Sequence, residues 1–394
     1  MDRQIVAILV EPIKHDLMLS DSKIGLLYGF AFAVLYTTTG IPIARLADRA
    51  DRTRVINWSL ILFSVMTTIC GLAVTYWQLL FARVGVAIGE GGTNPPSHSI
   101  ISDLYPVSRR STAMAIFSLG PHIGILLGFL IGGWVAQLWG WRVAFAVAGL
   151  GGLLVASLSF KFLHEPKRGW ADDIDVSEPP SGYEVVRSLM RPASLRHLWA
   201  GAAIFSIAAY ANFGWLPSFL IRSHGFKTGA AGALLALVLG LVGGFGTFLG
   251  GRLADHLGDR NPTWRLRVVA LALTVASFFW AMVFLATNSV VMLVLLIIPG
   301  GLLGFFLGPT FATVQSLVDP AMRAMAAAFL LFVINVVGLG IGPIAVGALS
   351  DALMPYLGRD SLRIALPVVP PLCIWAAYHY YRAANAIIVK ASNT

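Results

Sequence analysis

Ala44-Arg45-Leu46-Ala47-Asp48-Arg49-Ala50-Asp51-Arg52 recurs later in the chain as Gly251-Arg252-Leu253-Ala254-Asp255-His256-Leu257-Gly258-Asp259-Arg260. Each copy is a polar, Arg-rich connector between two long apolar runs. Other segments repeat in the same order. Pro106, Arg109 and Ala113-Met114-Ala115 return, the last loosely, as Pro320, Arg323 and Ala327-Ala328-Phe329, and Gly120-Pro121 returns as Gly342-Pro343. Matches in one order at corresponding loops and spans indicate a duplicated helical unit.

Working outward, apolar spans fall near 24–47, 55–76, 78–102, 110–137 and 142–163, then near 198–221, 229–253, 268–287, 290–316, 325–350 and 364–382. Each reaches the roughly 20 residues that cross a hydrocarbon core. The run before Pro12 is shorter. It reads as part of a first helix whose remainder would precede Met1, and it supplies the sixth span of the first set. Between the sets lies a polar stretch with Glu165-Pro166-Lys167-Arg168, an acidic group at Asp172, Asp173 and Asp175, and Pro179-Pro180. The expected organisation is a bundle over 1–163, a linker over 164–196 and a second bundle over 197–394.

Composition agrees. Hydrophobic residues make up 57% of the chain and charged residues 12%, with mean hydropathy +0.77. Soluble domains carry about 25% charged residues, so there is too little polar surface here for an aqueous fold. The net charge of +9 sits in loops and not in aromatic-interleaved patches, which argues against nucleic acid. One set of connectors holds Arg45, Arg49, Arg52, Arg54, Arg109, Arg110, the cations of the linker, Arg252, Arg260, Arg265, Arg267, Arg323, Arg382 and Lys390; the opposite set is sparse. The positive-inside rule places the linker and C-terminus in the cytoplasm, in a multi-pass protein of the cell (inner) membrane. Cys70 and Cys373 lie in apolar runs, with no redox or zinc motif. No cofactor or metal is expected.

The connector motif has a physical sense. Asp48 can accept hydrogen bonds from a neighbouring helix N-terminus, and the arginines can pair with carboxylates or lipid phosphates. Simple anchoring does not explain its recurrence at Asp255 and Arg260, so Asp48, Arg49, Arg52, Asp255 and Arg260 are candidates for a conformational gate. In the fifth span Gly120, Gly124, Gly128 and Gly132 recur every four residues, a stripe for close helix packing, static or sliding.

Together these features resemble the major facilitator superfamily. That resemblance implies an all-α membrane fold of twelve helices in two pseudo-symmetric bundles, with Ala44 departing from the usual glycine of the loop signature. Within the superfamily the chain looks like the Spinster group, on Asp2-Arg3, on Arg83-Val84-Gly85-Val86-Ala87-Ile88-Gly89-Glu90-Gly91, and on Ser102-Asp103-Leu104-Tyr105-Pro106 leading to Arg109-Arg110.

Asp2, Arg3, Arg83 and Glu90 are the main ionisable residues expected at membrane depth, where each costs about 2.5–3.5 kcal/mol or more. Arg83 and Glu90 are seven residues apart and share one side of their helix. Asp2 and Arg3 are about 100° apart on theirs. One reading makes Asp2 and Glu90 proton-coupling groups and Arg3 and Arg83 substrate-binding or charge-pairing groups; the other makes all four a salt-bridge network fixing helix register. His98, His122, Tyr210, Asn212, Gln315 and Asn335 are lesser polar candidates, and Phe205, Phe213, Trp215, Phe305 and Phe306 are apolar ones. Ser97-His98-Ser99 lacks the geometry of a hydrolase, and no Walker A segment occurs.

The Spinster resemblance implies a secondary transporter of a lysophospholipid or sphingoid phosphate working by alternating access, with protons and membrane lipids as further partners, as a monomer. A proton-coupled facilitator of a small polar solute or drug, and a non-transporting receptor or scaffold, are the competing readings. An enzyme is not expected.

Overall fold

The computed structural model describes residues 2–105, 113–114, 116–117, 119–167, 182–318 and 322–392; the side chains of Asp2, Ile41, Ala44, Arg45, Asp48, 182–185, Arg323, Ala324 and 388–392 are outside the description. Pro106, Arg109, Arg110, the acidic group of the linker and Pro320 therefore lie outside it too. The described residues form helices in the order α1 (Asp2–Leu17), α2 (21–49), α3 (Arg52–Cys70), α4 (76–104), α5 (Leu119–Trp139), α6 (Trp141–Phe162), α7 (Gly182–Met190), α8 (Ala193–His224), α9 (Thr228–Arg260), α10 (Trp264–Leu285), α11 (Ser289–Leu317), α12 (323–357) and α13 (361–392). The short α7 lies between the two sets, and the other twelve match the twelve expected helices.

Local chemistry sets the helix ends. Asp51 caps α3, its side chain accepting from the Arg54 backbone N–H at 3.0 Å, and Thr75 and Asn288 cap α4 and α11 in the same way. Gly225, at φ 69°, ends α8 in the left-handed conformation that glycine adopts without a Cβ clash. Three helices contain π-helical turns, at Leu26–Phe30 in α2, Ala236–Val242 in α9 and Val333–Leu339 in α12, a feature frequent at functional positions.

The chain divides into two compact units, one of residues 1–175 with 226–236 and the other of 176–225 with 237–394. In the first, α3 lies against α6 through small residues. A Cβ at Gly149 would sit 2.6 Å from the Ser64 carbonyl oxygen, so no larger residue fits without separating the helices. The start of α9 packs on α5 in the same unit. There a Cβ at Gly133 would meet the Thr228 carbonyl at 2.9 Å and Gly232 Cα at 3.1 Å, and Gln137 accepts from the Gly229 N–H at 2.9 Å.

These contacts place the closest approach at one end of the glycine stripe. Gly128 is buried, but a Cβ at Gly120 would meet nothing within 4 Å, and Gly124 is only half-buried. The close approach occurs at the far end of the helix, where Gly132 faces Ile5 and Ile8 of α1 and Gly133 faces α9.

At one end of this unit, Arg142 ties three elements together. It donates to Asp16 Oδ2 at 2.6 Å and to the Ala73 carbonyl at 3.2 Å, while Trp141 Nε1 donates to the same Asp16 oxygen at 3.2 Å. The Arg142 hydrogen bond, with help from Trp141, holds the Asp16 carboxyl below its ordinary value. A lowered carboxyl stabilises the fold above its unfolded value, near 3.8, and the contribution fades as pH falls through the lower folded value. Asp16→Asn should therefore destabilise the fold slightly at pH 7, by no more than about 1 kcal/mol for so exposed a pair. Thermal unfolding should show the two proteins converging as the pH falls into the acid range. Gly133→Leu should destabilise by about 1–3 kcal/mol through overpacking, read from the same melting curves.

Candidate functional site

Three of the charges expected at membrane depth, Arg3, Arg83 and Glu90, are brought near one another by α1, α2 and α4. Arg3, in the first turn of α1, forms a two-point ion pair with Glu90 of α4: Nη2 lies 3.1 Å from Oε1 and Nε donates to Oε2 at 3.3 Å. The pair is not sealed, since the Arg3 side chain is 18% and the Glu90 side chain 26% exposed. Arg83, two turns before Glu90 on α4, is buried at 1% exposure.

Both arginines lie against Phe32 of α2. The guanidinium carbons of Arg3 and Arg83 each lie 4.8 Å from the centre of its ring, and the ring itself is 1% exposed. Tyr36, one turn on, stacks against Phe32 with centroids 6.0 Å apart and also takes Arg3 at 4.8 Å. Its hydroxyl accepts from Asn94 Nδ2 at 3.3 Å. A cation over a ring face gains about 0.5–1 kcal/mol when exposed and about 2 when desolvated, which helps two guanidiniums share a poorly hydrated space.

The Arg3–Glu90 pairing joins two of the expected site residues directly, and Arg83 joins them through Phe32. Asp2 lies on α1, and its side chain is outside the described residues. Phe32, Tyr36 and Asn94 were not anticipated. The available signal was the four-residue spacing of Phe32 and Tyr36, which puts both rings on one face of α2.

At a helix end elsewhere in the same unit, Arg52 is buried at 3% exposure. It pairs with Asp103 at 2.5 Å and Glu165 at 2.6 Å, and donates to Ser99 Oγ at 2.8 Å and the Pro166 carbonyl at 3.4 Å. Glu165 also caps α3 by accepting from the Thr53 N–H. The connector arginine thus meets carboxylates, and the first residues of the linker are fastened to α3. Arg49 is exposed, and the Asp48 side chain is outside the described residues.

The second copy of the connector builds nothing comparable among the described residues. Asp255, 71% exposed, reaches Arg265 at 3.9 Å, and Arg260 is exposed. Sequence repetition predicts equal roles for the two connectors; the structure gives a buried network to the first. Among the described residues, no acid is placed against Arg260 as Asp103 and Glu165 are against Arg52.

The remaining candidates divide into polar pairs and packing. In the second unit Tyr210 donates to Asn335 Oδ1 at 3.2 Å, within the π-helical turn of α12. His98 sits edge-on to Phe117 at 5.1 Å. Phe205 and Phe306 pack at 4.6 Å, and buried Trp215 donates to the Pro343 carbonyl at 2.8 Å. Phe205, Trp215, Phe305 and Phe306 are core residues of that unit.

A bundle of apolar helices with paired charges at depth and Arg-rich connectors is the make-up of a membrane transporter. Residues 1–343 match the Major Facilitator Superfamily, and the chain belongs to that family, a multi-pass membrane transporter and not an enzyme. Its relatives include an MFS-type efflux pump of Mycolicibacterium smegmatis, 34% identical over 389 residues, 97% of this chain and 90% of that protein. The sphingosine-1-phosphate transporter SPNS2 of Danio rerio is 26% identical over 371 residues, 90% of this chain and 73% of that protein. Among solved structures, a bacterial homolog to the human lysosomal transporter Spinster, inward-facing and occupied, superposes with a TM-score of 0.88 at 28% identity, covering 98% of this chain and 94% of that one.

If the Arg3–Glu90 pair carries real coupling, a double-mutant cycle of Arg3→Gln and Glu90→Gln should give an interaction of the order of 1 kcal/mol in thermal unfolding. Phe32→Leu should weaken both arginine contacts, so that the Arg3→Gln effect becomes smaller in the Phe32→Leu background.

Proposed function

We propose that this protein moves an amphipathic, anionic, lipid-like molecule of the lysophospholipid or sphingoid-phosphate type, by proton-responsive alternating access. The observation that carries this reading is the partly open Arg3–Glu90 ion pair set over Phe32 and Tyr36, with the second cation, Arg83, also 4.8 Å from the centre of the Phe32 ring.

Glu90 neutralises Arg3 while it is ionised. When Glu90 takes a proton its negative charge is lost, and Arg3 is left as a cation still held by two ring faces. A phosphate or phosphonate headgroup can then accept both guanidinium N–H groups in place of the carboxylate, the two-point geometry that suits arginine. Loss of the proton restores the carboxylate, which competes the headgroup away. Asp2, one residue from Arg3, is a second group for the same exchange, and Arg83 adds positive potential beside Phe32. An aliphatic tail needs only apolar helix surface, which this chain has in abundance. The name of the Danio rerio relative, a sphingosine-1-phosphate transporter, supports an anionic amphiphile as cargo.

The connectors would gate the motion. Arg52, with Asp103 and Glu165, fastens one helix end in the state described here, and Asp48, Arg49, Asp255 and Arg260 would serve in other states, with Gly120, Gly124 and Gly128 giving α5 a smooth face. Arg-rich connectors and the linker would face the cytoplasm.

A second reading, a proton-coupled facilitator of a small polar solute or drug, draws support from the 34% identical relative, an efflux pump. Proteoliposome counterflow separates the two. Lysophospholipid should exchange under a pH gradient, whereas hydrophilic drugs should not. Arg3→Gln should reduce lysolipid exchange about tenfold or more, the loss of a charge-assisted hydrogen-bond pair. Glu90→Gln and Asp2→Asn should leave binding intact but flatten its pH dependence. Drug exchange without lysolipid exchange would sink the lipid reading, and an unchanged pH profile in both carboxyl variants would sink the coupling role.

A further inference from the structure

A groove of about 420 Å³ runs along α3, walled by α2 and α4. Its α3 wall is Arg54, Trp58 and Leu62, spaced by four and so aligned on one helix face. Leu46 of α2 stands opposite, and Ile88 and Gly89 of α4 lie alongside. The walls are open: Trp58 is 65%, Leu46 56% and Leu62 40% exposed. The base is closed, because α3 and α4 touch there; a Cβ at Gly89 would sit 2.7 Å from the Phe63 backbone nitrogen.

Chemistry changes in order along this groove. Arg54, whose side chain is 79% exposed, stands at the helix end. Trp58 follows one turn deeper and Leu62 two turns deeper, about 12 Å from Arg54 at the rise of an α-helix. Cation, interfacial aromatic and aliphatic is the order of headgroup, interface and hydrocarbon in a bilayer leaflet. The adjacent Arg52 is turned inward to Asp103 and Glu165, which leaves Arg54 as the α3 cation at the groove mouth. Its pairing with Asp51 at 3.4 Å is a single-turn surface contact, worth little in water. Asp51 is also engaged as the α3 cap by Thr53 and by the Arg54 N–H, so a phosphate that draws the guanidinium away does not strip the carboxylate of donors.

We propose that this groove is a binding site for one anionic phospholipid of the surrounding bilayer, its phosphate on Arg54 and one acyl chain along Trp58 and Leu62 against Ile88. The site is separate from the Arg3–Glu90 pair and does not depend on what the protein transports. It adjoins that pair through α4, since Gly89 precedes Glu90. A seated chain would press on the segment of α4 that carries the acid, and lipid occupancy would bias its position.

The test is thermal unfolding of the purified full chain in detergent micelles, titrated with phosphatidylglycerol or with phosphatidylcholine of the same chains. Phosphatidylglycerol should raise the melting temperature by about 2–4 °C more than phosphatidylcholine. Arg54→Gln should erase that difference and Arg54→Lys should keep most of it. Leu46→Trp, which fills the groove from an exposed position, should erase it while leaving Arg54 in place. Soluble glycerol 3-phosphate should have no effect. Equal stabilisation of the wild-type protein by both lipids would overturn the site. So would a difference that survives Arg54→Gln, one that survives Leu46→Trp, or one reproduced by glycerol 3-phosphate alone.

Discussion

A guanidinium cannot be left bare at membrane depth, and the first unit is arranged around that constraint. Arg83 is buried almost completely, and its charge is tolerable only if something polarisable or anionic lies against it. Phe32 meets part of that need from α2 and also lies against Arg3, which in turn reaches across to Glu90. One ring and one carboxylate therefore fix the mutual placement of α1, α2 and α4. Moving any of the three helices by an ångström or two would separate a cation from its partner, which explains how so few polar groups can set the register of apolar helices.

In the proposed proton-responsive cycle, that arrangement would keep the site together. In a pair held only by charge, neutralising the acid would free the arginine to leave. Here the ring faces of Phe32 and Tyr36 attract a cation regardless of the state of Glu90, so Arg3 has a reason to stay where a ligand could use it. The partial exposure of both partners gives water and ligand a way in. Arg52 works by the opposite rule. It is buried, takes two carboxylates, a hydroxyl and a carbonyl, and closes a helix end onto the start of the linker. The first arrangement suits exchange of partners and the second suits a fastening that holds until several bonds break together.

The two halves of the chain share a pattern but not a network. Their connectors read almost alike, yet the Arg52 cluster depends on Asp103 and Glu165, and Asp255 and Arg260 lie at an exposed helix end without such acids among the described residues. The π-helical turns behave similarly. They interrupt α2, α9 and α12 where the helices are otherwise apolar, and in α12 the turn carries Asn335, the acceptor for Tyr210.

The sequence by itself determined the class of fold, because apolar length, helical backbone satisfaction and the placement of arginines in connectors are properties of the chain that hold before any packing. It also singled out Arg3, Arg83 and Glu90, since a charge in an apolar span is conspicuous wherever it points. Periodicity states which face a residue occupies and not which neighbour it meets. Phe32 was therefore one phenylalanine among many, Glu165 looked like linker, and Gly120 looked as suited to packing as Gly133. Only the tertiary structure decided that Phe32 meets two arginines, that Glu165 folds back onto Arg52, and that α9 lies against Gly133. Those outcomes depend on distances between helices far apart in the chain, and it is at such distances that charge and steric overlap act.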